Sequence, residues 1–412
     1  MAQLNITLNQ DEILQLLSKD RDEFFRQLLT TCLNSVLAAE SQEQLGADPY
    51  ERTEERTDSR NGYRERSLNT RIGTITLRVP RHRNQPFQTM IFDNYSRSEA
   101  ALIATMAQMV VCGVSTRKVA QVMETLCGTS YSKSAVSDVC KTLDKEVHEF
   151  RNRPLIDNYP FVIVDATYFK VRENNRIISK AFMIAEGTNE HGYREIIGFN
   201  TYPKESSENW TDFIKSLKDR GLKGVMIVVS DAHEGIIHAV SKELPDVPWQ
   251  RCQFHFSRNV CDKAPKKYQA GLRAELQEMF NAKTIDEARA KRDAIINDYS
   301  NEAESAMKCL DEGFESCMVA RNLPDLLYKK FRTSNSLERI NRELKRRSNV
   351  IGIFPNEASI IRLMGSVLID VNDSIQEARK AFGKETYNTL MAPKSRTTLQ
   401  RIAQEQRQLL VA

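Results

Sequence analysis

The sequence predicts a mixed α/β core that is interrupted by an all-α insertion and preceded by a mostly helical N-terminal region. Three observations predict it. Short segments of strand character, Phe161–Val164, Ile177–Ala185, Arg194–Tyr202 and Val225–Val229, fall close together within residues 150–250. Residues 256–330 carry helical periodicity and no strand candidate. Residues 10–46 and 97–150 repeat apolar positions at three-to-four spacing. At 412 residues, with 41% hydrophobic and 28% charged side chains, the chain is long enough for several domains with conventional cores.

In chain order, residues 10–46 read as a packing or dimerisation helix, with Ile13, Leu16, Leu17, Phe24, Leu28, Leu29, Cys32, Leu33, Val36 and Leu37 on its apolar side. Residues 48–90 are rich in arginine. Acidic Asp48, Glu51, Glu54, Glu55 and Asp58 are concentrated at the start, leaving Arg60, Arg64 and Arg66 (RNGYRER) and Arg81 and Arg83 (VPRHR) locally basic. Asn61-Gly62 signals a turn and Thr74–Val79 alternates like a strand. Arginine suits phosphate clamping, and the alternative is a solvated charged surface. Residues 97–150 suggest a helix-turn-helix. A helix near Ser98–Val111 ends at Gly113, Ser115-Thr116 caps a second that ends at Gly128, and Ser132 caps a third carrying Ala135, Val136, Val139, Leu143 and Val147 on one face. That geometry presents a recognition helix to DNA, with Arg117, Lys118 and Lys133 as candidate contacts, although helical hairpins also serve as plain packing modules.

The core elements follow. Phe161–Val164 continues into Tyr168–Arg172, Asn174-Asn175 turns the chain, and Ile177–Ala185 returns. After a turn at Glu190–Tyr193 comes Arg194–Tyr202, then a helix over Glu208–Arg220 stopped by Gly221, then the buried-type strand Val225–Val229 ending at Ser230-Asp231. This is the element order of an RNase H-like fold, an analogy that by itself sets no function. Ala270–Phe280 and Thr284–Tyr299 are the clearest helices of the insertion, and helices over 334–347 and 357–380 return to the sheet. The tail from Ala392 is polar, a loose end or a helix.

Bulk composition excludes little. A net charge of +4 names no partner, and for a nucleic-acid binder the local clustering of basic residues matters more. The eight cysteines include no C-x-x-C pair, so neither a zinc ribbon nor a disulfide framework is expected. No signal peptide is expected, and no apolar run is long enough to span a bilayer, so a cytoplasmic protein without a membrane partner is the expectation.

Chemistry points to three carboxylates. Asp165 ends the apolar run FVIVD, and Asp231 ends VMIVVSD. Apolar strands avoid carboxylates because burying one unpaired is costly. Two on adjacent strands would need a cation between them, and oxygen ligands suit Mg²⁺ or Mn²⁺. Glu338, one turn into a helix in TSNSLERINRELKRR, is the third; Asp157, Glu234 and Glu343 are weaker rivals. Two ions held by Asp165, Asp231 and Glu338 would serve in-line phosphodiester displacement. Taken singly, each aspartate also reads as a turn residue and Glu338 as part of a capping box after Asn335. Arg342, Lys345 and Arg346 share a helical face that grips phosphates or is merely solvated with Glu343 as partner. Cys252 and His255 form half a zinc site, with Cys261 a possible third ligand and no fourth, and read better as metal-free. Trp249 reads as a core aromatic, with base stacking the alternative, and His233 and His238 as helix-surface residues or supports of the site.

At these residues the sequence closely resembles the Mutator-type transposases of bacterial insertion sequences. VDATYFKVR, VVSDAHEG and TSNSLERINRELKRR carry the family's three acidic residues, here Asp165, Asp231 and Glu338, and WQRCQFHFSRN carries its Cys-x-x-His element, here Cys252 and His255. RNGYRER, VPRHR, CGVSTRKVAQVME and SKSAVSDV resemble the family's N-terminal region. The resemblance implies an RNase H-like catalytic core with a helical insertion before the glutamate, and Mg²⁺-dependent strand cleavage and transfer at terminal inverted repeats, often through circular DNA intermediates. It also implies a structural or DNA-positioning role for Cys252 and His255. Expected partners are transposon-end and target DNA and a second copy of the chain, since two DNA ends are handled together, in a bacterial, nucleoid-associated setting. The expected divisions are 1–47 (helical, candidate dimerisation), 48–96 (arginine-rich), 97–150 (helix-turn-helix), 151–255 and 331–380 (core), 256–330 (insertion) and 381–412 (tail). A non-catalytic DNA-binding regulator and a nuclease that uses only water are the competing functions.

Overall fold

The computed structural model describes residues 21–47, 51, 56–70, 73–89, 100–127 and 131–411. The expectations for Ile13, Leu16, Leu17, Arg52, Arg71, Ser98, Gly128 and the side chain of Phe24 lie outside the described residues. The chain forms two compact units, Met1–Thr142 and Leu143–Ala412.

In the first unit, helix α1 (Arg21–Leu45) lies on an antiparallel hairpin of β1 (Arg60–Thr70) and β2 (Gly73–His82). Alternation along β2 buries Ile75, Leu77 and Val79 against Leu29, Leu33 and Leu37 of the helix, so this apolar helix face is used in packing within the chain. The expected turn at Asn61-Gly62 is not one. Gly62 (φ +75°) lies inside β1, where the register slips between Arg60 and Tyr63, so the pair marks a β-bulge. Three helices follow: α2 (Ala100–Val111), α3 (Thr116–Cys127) and α4 (Lys133–Cys140), packed through Met106, Val119, Met123 and Val136. Gly113 (φ +87°) makes the turn after α2, and Ser132 caps α4 by accepting the Ala135 N–H at 3.0 Å. The expected third helix does not run on to Val147. It stops at Cys140, and Leu143 and Val147 belong to a separate helix, α5 (Leu143–Asn152), of the second unit.

The second unit is built on a five-stranded mixed sheet in the order β5-β4-β3-β6-β7. Its strands are β3 (Phe161–Glu173), β4 (Arg176–Thr188), β5 (Arg194–Tyr202), β6 (Ile227–Ser230) and β7 (Trp249–Arg251). β3, β4 and β5 pair antiparallel, whereas β3–β6 and β6–β7 pair parallel. The β3–β4 turn is the expected Asn174-Asn175, whose φ values of 48° and 61° suit a tight hairpin turn. One face of the sheet buries Val162, Val164, Met183 and Ile197 under α6 (Ser207–Asp219) and α7 (Glu234–Glu243), with Trp210, Phe213 and Ile236 fully buried between. Each such side chain contributes roughly 1.5–3 kcal/mol of burial.

In chain order, between the strands and the last helices, comes a separate helical layer: α8 (Gln253–Asp262), α9 (Gln269–Phe280), α10 (Ile285–Tyr299) and α11 (Glu304–Met318) close on Phe256, Leu272, Leu276, Leu310 and Phe314. A 3₁₀ turn (Val319–Asn322) and α12 (Asp325–Phe331) lead to α13 (Asn335–Ile351) and α14 (Glu357–Gln376). These return to the other sheet face, where the ring of Phe161 stacks on Phe331 at 3.7 Å and Phe169 meets Phe354 edge-on. Gly365 of α14 has no room for a Cβ, which would fall 2.4 Å from Val147 and 3.1 Å from Phe199. At the end of the core, β7 is a strand the sequence did not announce, and the tail takes the helical alternative, ordered into α15 (Lys384–Leu390) and α16 (Pro393–Val411). Gln406 of α16 accepts from the Trp249 N–H and donates to its C=O, both at 2.8 Å, which covers the edge strand. Among the described residues, no helix is long and apolar enough to cross a membrane.

Candidate active site

Asp165 does not end its strand, as the sequence suggested, but stands in the middle of β3. What ends there is the neighbour. β6 pairs with β3 only as far as Ile163↔Val229, and two residues further along the same register stand Asp165 and Asp231. Alternation places Asp165 on the same sheet face as Phe161 and Ile163, the face that α13 crosses. Asn341 of α13 donates to Asp165 Oδ2 at 2.8 Å, and the Ala166 N–H donates to Oδ1 at 2.8 Å.

The two aspartates repel. Burial first, and then the charge of Asp231, push the Asp165 carboxyl up to about 6. Asp231 Oδ1 is shielded from water and accepts no hydrogen bond. Glu338 lies in the first turn of α13, with Oε1 3.5 Å from His255 Nε2. The His255 imidazole is raised to about 9, first through its contact with the Cys252 sulfur and further by the carboxylates of Glu338 and Asp165. These neighbours favour the charged form of His255, which lies against Glu338 and within reach of the charge of Asp165.

Cys252 braces this arrangement. It is fully buried; its N–H donates to Ser230 C=O at 2.7 Å, beside Asp231, and its sulfur accepts the Ser334 N–H at 3.3 Å, just ahead of α13. One residue therefore ties the end of β6 to the start of the helix that carries Glu338. Burial raises its thiol, but interactions with His255 and Ser334 outweigh that and lower it. Cys252, His255 and Glu338 offer ligand atoms within 4.8 Å of one another. Glu338, not Cys261, is thus the third member of that group: Cys261 is packed in the helical layer, its sulfur 3.9 Å from Gln269 C=O. Trp249 is a core aromatic, 7% exposed, donating from Nε1 to Ser230 Oγ at 2.8 Å. His233 caps α7 by accepting the Gly235 N–H, and His238 is exposed.

Sequence reading missed two residues beside the site. Glu205, in the connection after β5, has its carboxyl raised by burial and by Asp231, against the opposing charge of His233. Phe254, on α8 next to His255, is 50% exposed. Neither has a local signal, since one sits in a turn and the other on a helix whose inner face is apolar. Among the candidate DNA contacts, Arg64, Arg81 and Arg83 are exposed on or beside the hairpin, Arg66 is half-buried, and Arg60 donates to Ala47 C=O at 2.8 Å. Arg117, Lys118 and Lys133 are exposed on α3 and α4. On α13, Arg342 and Lys345 are exposed, while Arg346 is paired with Glu343 at 2.7 Å. The rivals are committed elsewhere: Glu343 binds Arg346 and Arg347, Asp157 accepts from Asn189, and Glu234 is exposed at the start of α7.

Asp165 and Asp231 offer oxygen donors of the kind that suit a hard divalent cation, and Glu338 lies against His255 and Cys252. Two adjacent carboxylates repel each other, Asp231 Oδ1 has no partner, and a third carboxylate is within reach of the same histidine. The family described as "Transposase, Mutator family" matches residues 1–378. The chain is 42% identical over 385 residues to the transposase for insertion sequence element IS256 in transposon Tn4001 of Staphylococcus aureus, covering 92% of this chain and 98% of that protein. It is 39% identical to the transposase for insertion sequence element ISRM5 of Rhizobium meliloti (86% and 89% covered) and 36% identical to that for IS1081 of Mycobacterium tuberculosis (90% and 89%).

Proposed function

This chain belongs to the Mutator family of transposases, and from that premise we propose that it is the transposase of a bacterial insertion sequence, cutting and joining DNA at the terminal inverted repeats of its element. The observation that carries the chemistry is the meeting of Asp165 with Asp231 at the point where β6 stops pairing with β3, with Glu338 against His255, whose charge also acts on Asp165. The strand order and the helical layer before Glu338 agree with an RNase H-like core.

Asp165, Asp231 and Glu338 would hold two Mg²⁺ or Mn²⁺ ions, which when bound sharpen a water or 3′-hydroxyl nucleophile and neutralise charge on the phosphate. The protein's own groups do the positioning. Asn341 fixes the Asp165 carboxylate, leaving its remaining lone pairs for a cation. Cys252 sets the distance between the two halves of the site. His255 holds a positive charge between Glu338 and Asp165, which balances the carboxylates and is placed to bond a phosphate oxygen. The exposed arginines and lysines of β1, β2, α3, α4 and α13 are the proposed contacts to the DNA backbone, and their binding would weaken steeply with salt.

Joining separates this reading from a nuclease of the same build. Pre-cut element ends with a free 3′-hydroxyl, incubated with the protein, Mg²⁺ and a supercoiled plasmid, should give covalently joined end–plasmid products. Cleaved or nicked DNA with no joined product would make the protein a nuclease. DNA binding with neither, and no response to metal, would make it a regulator.

A further inference from the structure

A cavity of about 710 Å³ opens between β4, β5 and the helices α13 and α14, and none of the three carboxylates lines it. Its rim is basic: Arg194 from β5, Lys330 from α12 and Arg379 from the segment after α14 all line it. They are close enough to act on one another. Burial first, and then the charges of Arg194 and Arg379, hold the Lys330 ammonium below its usual range. Three cations from three separate elements repel, and such a cluster is favourable once an anion sits among them.

Lys330 donates to the Ala381 C=O, and Glu343 and Asp370 also line the cavity, but the counter-charge beside Arg194 does not satisfy it. Glu186, at the floor, is 1% exposed, and Arg194 Nε stands 3.7 Å from its Oε1, too far for a hydrogen bond. No oxygen of Glu186 accepts a hydrogen bond of good geometry; burial raises its carboxyl, and Arg194 and then the Ser336 hydroxyl, which lines the same cavity, oppose that. Buried polar groups in folded proteins are nearly always well bonded, so a carboxyl held only by one hydroxyl and a distant guanidinium on a cavity floor keeps lone pairs for a ligand with N–H or O–H donors. A basic rim and a donor-seeking floor, in a space the size of small-molecule sites, suit one ligand chemistry.

We propose that this cavity binds a nucleotide, its phosphate among Arg194, Lys330 and Arg379 and its nucleoside donors on Glu186 and Ser336. The nucleotide comes either free from solution or as one unit of a DNA strand. Ser336 and Arg339, which line the cavity, flank Glu338 on α13, so an occupant bears on the helix that carries the third carboxylate.

The test uses the full-length protein without added metal, with a deoxynucleoside monophosphate titrated by calorimetry and a labelled single-stranded oligonucleotide by anisotropy. Two variants act differently: Arg379→Gln removes an exposed charge, and Ser374→Trp narrows the entrance without changing charge. Lys283→Gln, on the exposed surface of the helical layer, is the control. Both test variants should weaken monophosphate binding roughly tenfold, with unchanged melting temperature and an unchanged control. If the monophosphate does not bind but both variants weaken the oligonucleotide, the nucleotide belongs to the DNA strand. Wild-type affinity of both variants for both probes, or no binding of either probe to the wild type, overturns the proposal.

Discussion

Asp165 stands where a charge is costly. Its carboxyl is raised to about 6 from the ordinary 3.8, by burial and then by Asp231, so in the metal-free fold the ionised form is disfavoured. The cost appears as pH rises through about 4 to 6 and is fully present above that range. Metal-free Asp165→Asn should therefore be more stable than the wild type at pH 7, by about 1–3 kcal/mol, and lose that advantage below pH 4. Thermal melts at the two pH values check it; an equal effect at both would remove the electrostatic origin. Mg²⁺ should raise the melting temperature of the wild type and leave that of Asp165→Asn nearly unmoved. Cys252→Ala leaves the Ser334 N–H without its acceptor, a loss of about 1–2 kcal/mol, and should lower the cleavage rate while DNA affinity holds. A rate equal to the wild type would reduce Cys252 to a packing residue. Much of this site was legible in the sequence, because carboxylates in FVIVD and VMIVVSD contradict their apolar surroundings. The brace was not, because what matters about Cys252 is which two distant backbone groups it joins.

Elements decide whether those residues meet. The mixed order of the sheet makes β6 a parallel neighbour of β3, and the early end of their pairing leaves Asp165 beside Asp231 with no β3–β6 pair beyond Val229. Tight helix contacts hold the surrounding layers in place. A Cβ on Gly313 of α11 would fall 2.3 Å from Phe256 and 2.6 Å from Arg251, so Gly313→Ala forces α11 away from α8 and the β7 end. The expected cost is about 1–3 kcal/mol by denaturant unfolding; a stability equal to the wild type would mean the helices give way freely. The long core strands, their Asn-Asn turn and the insertion helices were readable from apolar runs and periodicity. β1, β7 and the break after α4 were not. β1 is polar on its exposed side and opens with a bulge, β7 is only three residues long, and Lys141–Thr142 is a turn with no Gly or Pro to announce it.

At the scale of the whole molecule, the C-terminal helix completes the sheet rather than trailing from it. Gln406 bonds both backbone groups of Trp249, and Trp249 in turn bonds Ser230, the residue before Asp231. Removing residues 393–412 should bare the β7 edge, lower the melting temperature and promote association on gentle heating, read by light scattering. A truncated chain that melts and scatters like the full one would show the sheet to be complete without α16. Nothing in the polar tail sequence announces this role, since a glutamine that pairs with a strand edge looks like any other. The central claim, that three distant carboxylates act as one centre, is tested most directly by strand transfer from a pre-cut 3′-hydroxyl end with Asp165→Asn, Asp231→Asn and Glu338→Gln, each beside the wild type in Mg²⁺ and in EDTA. Each variant should bind end DNA as the wild type does and yield no joined product, as should the wild type in EDTA. Full joining by any one of the three, or by the wild type without metal, would contradict it.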